Sequence, residues 1–121
     1  MLVLLPFTVI SEGNNSTIES INLPIIMYHH TTTDNSKAGA YTVLLSEFES
    51  DLEYIKKSGY TTVTLKDLYA FVNGEKTLPD KVVMITFDDG FESFYKLSYT
   101  TLKNMGMNAV LSVIGIQSEK Y

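Results

Sequence analysis

No cysteine occurs among the 121 residues. That excludes disulfides, thiolate metal sites and a cysteine nucleophile, so any metal must be held by His, Asp or Glu. It does not fix the compartment. Basic residues are also scarce: nine stand against fourteen acidic ones, the net charge is −5, and no basic stripe runs along the chain. Nucleic acid is therefore not an expected partner, because neutralising phosphates needs a basic surface. Histidine is confined to His29 and His30. Low-complexity tracts are missing, and a hydrophobic content of 45% with 19% charged residues is that of an ordinary globular chain. The length suits one domain.

The apolar opening, MLVLLPFTVI, is too short for a membrane span, which needs about twenty residues. It suits the core of a signal peptide, and the polar stretch SEGNNSTIES follows it. No Lys or Arg precedes it and no small-x-small cleavage site follows, so a buried first strand or a ragged translation start competes with that reading. The expectation is an extracellular or cell-surface protein, touching a membrane only through such an N-terminal anchor. Residues 1–21 are read as this apolar segment plus a polar linker over 11–22, and residues 22–121 as the folded body.

Within the body, Pro24–Tyr28 is a short apolar run that reads as a buried strand, closed by His29 and His30. A helix follows, with Ser46 and Glu49 as its capping box, Phe48, Leu52 and Ile55 on one face, and Gly59 as its stop. Tyr60–Thr64 reads as a strand and Leu65–Val72 as a helix with Leu68, Phe71 and Val72 inward, stopped by Asn73-Gly74. Val82–Phe87 is nearly all apolar without alternation, as expected of a strand buried on both faces of a parallel sheet. A helix over 91–104, ended by Gly106, and a strand over 108–115 complete the series. Strands alternating with helices mean an α/β fold with a parallel sheet. Four strands make about half of a closed (β/α) barrel, which typically takes about 250 residues.

Asp88, Asp89 and Gly90 stand at the C-terminal end of that buried strand, where α/β folds place their active sites. Neighbouring strand side chains point to opposite faces, so both carboxylates reach one site only if the chain turns, and Gly90 permits the turn. Two adjacent carboxylates repel each other. A divalent metal on one would relieve this and leave the other free as a base, the division of labour of metal-assisted hydrolysis. The plainer alternative is that one aspartate caps the helix that follows, with Gly90 making the turn. Residue types and spacing alone leave both open.

Thr86-Phe87-Asp88-Asp89-Gly90 resembles the first motif of the polysaccharide deacetylases, the NodB-homology domain of carbohydrate esterase family four. Three other segments resemble the same family in the same order: Pro24 to His30, Phe48 to Leu68, and Ala109 to Gly115. The resemblance covers about residues 22–116 and implies the N-terminal half of a (β/α) barrel of the polysaccharide deacetylase type. It implies Asp88 as general base and Asp89 as ligand of a divalent metal, zinc first, with cobalt or nickel as alternatives. The reaction implied is hydrolytic removal of N-acetyl groups from a polysaccharide containing N-acetylglucosamine.

The chain departs from the family pattern in one respect. The family completes its metal site with two histidines in an H-[S/T]-x-x-H motif further along, and no histidine follows Gly90. His29 and His30 are adjacent and cannot supply two ligands on one face at i, i+4 spacing. They are candidates for the mouth of the site, against the alternative of structural histidines hydrogen-bonded at a strand terminus. Tyr28 and Tyr95 are candidates for stacking on a sugar, against core packing. These 121 residues alone are therefore expected to be inactive. A catalytically inactive relic or glycan-binding module of the same fold is the competing function, and Mg²⁺-dependent phosphoryl transfer is a more distant one.

Overall fold

The computed structural model describes residues 3–12 and 18–115. Its centre is β6, Val82–Phe87, whose first four residues and last are buried. Side chains alternate across it, so Val83, Ile85 and Phe87 join one apolar cluster while Val82 and Met84 join a second on the other face. The run without alternation thus reflects burial on both sides, as expected from the sequence.

Around this strand the sheet is mixed rather than wholly parallel. A long antiparallel hairpin pairs β1 (Val3–Glu12) with β2 (Ile18–Tyr28), and β2 then lies parallel to β6 with Tyr28 opposite Phe87. On the other side of β6, β5 (Thr61–Thr62) pairs with its first residues and β7 (Val110–Leu111) with its last. A separate parallel pair, β3 (His30–Thr32) and β4 (Thr42–Leu44), sits beyond the end of β2. The result is an α/β half-barrel, as the element order predicts, with an antiparallel hairpin at its start. Where a polar linker is expected over 11–22, residues 11–12 and 18–22 are strand, and the apolar opening from Val3 onward is strand too. The intervening residues 13–17 lie outside the described residues.

Helix α1, Leu45–Lys57, buries Phe48, Leu52 and Ile55 against the first cluster, as the i, i+4, i+7 spacing predicts. Its start differs from the expected capping box. Glu47, not Glu49, reaches back, accepting the Leu44 N–H at 3.2 Å, and Ser46 lies inside the first turn. Leu44 has no side-chain acceptor to return the bond. Gly59 follows with φ of 77°, the left-handed stop that the sequence indicates.

Helix α2, Leu65–Val72, has the expected bounds and a full reciprocal cap: Thr64 Oγ1 accepts the Asp67 N–H, and the Asp67 carboxylate accepts the Thr64 N–H. Phe71 is buried and Leu68 packs at the margin of the second cluster, but Val72 is exposed, one position past the inward face.

The helix expected over 91–104 is present with an unforeseen irregularity. It makes a π-helical turn over Phe94–Ser98, where the Tyr99 N–H reaches the Phe94 carbonyl, before continuing as α3, Tyr99–Met105. Gly106, at φ of 68°, ends it. The last strand is shorter than the expected 108–115. Among the described residues β6 is the sole neighbour of β7, and β6 turns away after Phe87, so the ladder closes there with Ser112 N–H on the Phe87 carbonyl.

Candidate active site at the end of the central strand

Three aromatic rings set the floor beneath Asp88. Tyr28 stacks on Phe87 at 5.4 Å, and Phe48 meets both edge-on at 5.0 and 5.4 Å. All three are fully buried. The Tyr28 hydroxyl donates to Asp51 Oδ2 at 2.7 Å, and burial first, then Asp51, pushes this phenol well above its ordinary range. Tyr28 is therefore a core residue and cannot stack on a sugar. Tyr95 is open to solvent, its ring parallel to that of Tyr99 at 6.3 Å.

Above this floor the chain turns sharply. The Asp88 N–H still bonds the Tyr28 carbonyl at 2.9 Å, so Asp88 continues the β6–β2 ladder. The turn begins one residue earlier than the sequence suggests. Asp89 has φ of 71° and Gly90 φ of 73°, two consecutive left-handed residues, and Asp89 is the one non-glycine residue with positive φ among the described residues. Asp tolerates this region better than most side chains, yet a non-glycine residue held there is strained by about 1–3 kcal/mol and persists where the surroundings dictate it. A Cβ on Gly90 would lie 3.1 Å from Val113 Cγ1, so the turn also packs closely on the residues after β7.

Asp88 and Asp89 are both half-buried, and no described residue hydrogen-bonds or ion-pairs to either carboxylate. Neither side chain caps the following helix, so the capping alternative is not what the structure shows. Two unpartnered carboxylates on a rigid strand end are oxygen donors that a divalent cation accepts. They are only part of a site. Among the described residues no three His, Asp or Glu side chains converge to hold a metal.

His29 and His30 follow β2 at the same sheet end, one and two residues past the Tyr28–Phe87 pair. They separate in role. His29 packs its ring edge-on to Tyr41 at 5.2 Å. His30 is fastened through Nδ1 to Ser93 Oγ at 2.5 Å and lies 5.1 Å from the Phe91 ring. A hydrogen-bonded histidine at a strand terminus was the competing expectation, and His30 matches it.

What sequence reasoning missed is the polar cluster next to it. Ser93 Oγ also accepts the Thr31 N–H, and Thr31 Oγ1 meets Ser98 Oγ at 2.8 Å, with all three side chains buried. Only the hydroxyl three residues after Gly90 offered a signal. Ser98 faces inward through the π turn, which helical periodicity does not anticipate.

A family model described as polysaccharide deacetylase matches residues 75–121. YxkH of Bacillus subtilis, which carries the polysaccharide deacetylase name, is 36% identical over 99 residues, covering 82% of this chain and 34% of its own length. The poly-β-1,6-N-acetyl-D-glucosamine N-deacetylase of Escherichia coli K12 is 28% identical over 90 residues, 74% of this chain and 13% of that protein. Among solved structures, the Streptococcus pyogenes deacetylase PplD, in complex with acetate, superposes with a TM-score of 0.71 at 28% identity, covering 81% of this chain and 45% of that one. The chain thus spans about a third or less of the length of these curated relatives.

Proposed function

Because the chain belongs by sequence and by fold to the polysaccharide deacetylase family, we propose that it supplies the aspartate motif of a metal-dependent hydrolase that removes N-acetyl groups from an N-acetylglucosamine polysaccharide. The observation that carries this reading is the pair of carboxylates on Asp88 and Asp89, without a partner among the described residues and turned out of a buried strand by a strained left-handed backbone at Asp89. Asp89 would hold a divalent metal, zinc before cobalt or nickel. When bound, that metal supplies Lewis-acid polarisation of the acetyl carbonyl. Asp88, fixed by its backbone bond to β2, takes the proton from the attacking water. The buried rings of Tyr28, Phe48 and Phe87 pack together at the end of the strand from which Asp88 follows.

Among the described residues no three His, Asp or Glu side chains converge to complete a metal site. His30 is engaged with Ser93, and no histidine follows Gly90. The 121 residues alone are accordingly expected to release no acetate. A polymer of this class would be met outside the cell or at its surface, which is where we propose the reaction runs.

The test places residues 22–115 in the matching segment of YxkH and measures acetate release from poly-β-1,6-N-acetylglucosamine with zinc, cobalt or nickel. The chimera should turn over, and Asp88→Asn should lower the rate by about a hundredfold or more. A folded chimera that binds metal and keeps full activity in Asp88→Asn would sink the assignment. One that binds the glycan without releasing acetate in any metal would favour the glycan-binding reading.

A further inference from the structure

The segment between β6 and α3 is tied down at two points. At its start the Asp88 N–H is bonded to the Tyr28 carbonyl, on β2. At its end Ser93 is fastened to β3: its Oγ meets His30 Nδ1 and the Thr31 N–H, and its carbonyl accepts Thr31 Oγ1 at 3.5 Å. Only His29 separates β2 from β3. The left-handed residues Asp89 and Gly90 lie between these two anchors, and among the described residues no hydrogen bond holds either of them.

The donor count fixes the direction of the His30 bond. Ser93 is buried, and its Oγ has only His30 Nδ1 and the Thr31 N–H as partners among the described residues. The Thr31 N–H can only donate. If Nδ1 also donated, the Ser93 hydroxyl proton would be buried with no acceptor, which is costly. The satisfied arrangement has the Ser93 hydroxyl donating to an unprotonated Nδ1, which leaves the His30 ring proton on Nε2. The π turn contributes by bringing Ser98 Oγ to Thr31 Oγ1, so that Thr31 in turn has a hydroxyl to receive from while it gives to the Ser93 carbonyl.

We propose that Ser93 is a positioning residue: clamped by His30 and Thr31, it holds the Asp88-Asp89-Gly90 turn in its left-handed conformation and so fixes where the two carboxylates stand. This rests on the reading of Asp88 and Asp89 as the functional pair. Its test reads conformation rather than turnover, so the two can fail separately.

Two measurements on the ¹⁵N-labelled 121-residue chain decide it. In the neutral form of His30, Nδ1 should resonate as an unprotonated acceptor and Nε2 as the protonated nitrogen. In Ser93→Ala, exchange of the Asp88 amide should quicken about tenfold, while the Val63 amide, just past β5 and bonded to the Val83 carbonyl of β6, stays within about twofold. Ser93→Thr, which keeps the hydroxyl, should restore most of the protection. If Ser93→Ala unfolds the chain, both amides quicken together, and the same comparison is then read in His30→Ala. A protonated Nδ1 in the neutral form of His30 in the unmodified chain overturns the proposal. So does an Asp88 amide that exchanges at its original rate in a folded Ser93→Ala or His30→Ala variant.

Discussion

Replacing Gly90 by alanine tests whether the turn is truly left-handed. An L-residue with a Cβ costs about 1–2 kcal/mol in that region. Part of this is offset, because alanine has fewer unfolded conformations than glycine, a gain of about 0.4–1 kcal/mol. The new Cβ would also meet Val113 Cγ1 at 3.1 Å, closer than a comfortable contact. Val113 is 55% exposed, so its side chain can yield toward solvent at small cost. The net expectation for Gly90→Ala is about 1 kcal/mol of destabilisation, or a melting temperature lower by about 4 °C in a domain of this size. Gly59→Ala is the internal control. Its φ of 77° imposes the same backbone cost, but nothing lies within 4 Å of the added Cβ. Urea unfolding of both variants should give midpoints below that of the unmodified chain with unchanged slopes, and Gly90→Ala should be the lower. A neutral Gly90→Ala would refute the left-handed turn, and with it the strain assigned to Asp89.

Other perturbations probe the floor and the second helix. Phe48→Ala removes a fully buried ring that touches both Tyr28 and Phe87, and should cost about 3–5 kcal/mol, read as loss of the cooperative unfolding transition. Tyr28→Phe keeps the ring and deletes the hydroxyl bonded to Asp51. Urea unfolding should show a loss of about 1 kcal/mol, and a neutral result would mean that the bond to Asp51 contributes nothing. Asp67 is held well below the ordinary aspartate range by Lys76 first, then by Thr64. A depressed folded-state value means stability present above the unfolded value of about 4 and lost as pH falls below it. The melting temperature should therefore drop less between pH 5 and pH 3 in Asp67→Asn than in the unmodified chain, and equal drops would refute the linkage.

Much of this architecture was legible because it rests on local periodicity. The spacing of Phe48, Leu52 and Ile55 gives the buried face of α1, and the unbroken apolar run of 82–87 gives the central strand. Features that depend on distant partners were not. The hairpin of β1 on β2 looks like a leader and a linker when read alone, since an edge pairing leaves no periodic mark in polar residues such as Ser11 and Glu19. The start of α1 was misplaced because Ser46 is a better capping type than Leu44, while the actual cap uses only the Glu47 side chain. The π turn is one residue longer than an α-helical turn, and it goes with a contact between the buried hydroxyls of Thr31 and Ser98, 67 residues apart.

The site was half legible for the same reason. Asp-Asp-Gly after a buried strand signals a turn and a pair of carboxylates, but spacing alone could not say whether they serve as a cap or as free ligands. The conformation of Asp89 bears on that. A helix cap needs an extended residue whose side chain reaches the next amides. A left-handed Asp89 instead turns away, and its carboxylate has no hydrogen-bond or ion-pair partner among the described residues. Local stability would be served as well by glycine or asparagine at that position, both of which accept the left-handed region. An aspartate in that left-handed position, with no partner for its carboxylate among the described residues, costs stability without structural return. The expectation is that Asp89→Asn unfolds at a urea midpoint equal to or above that of the original chain, while its affinity for zinc or cobalt falls. A clear loss of stability in Asp89→Asn would show instead that the carboxylate has a structural role.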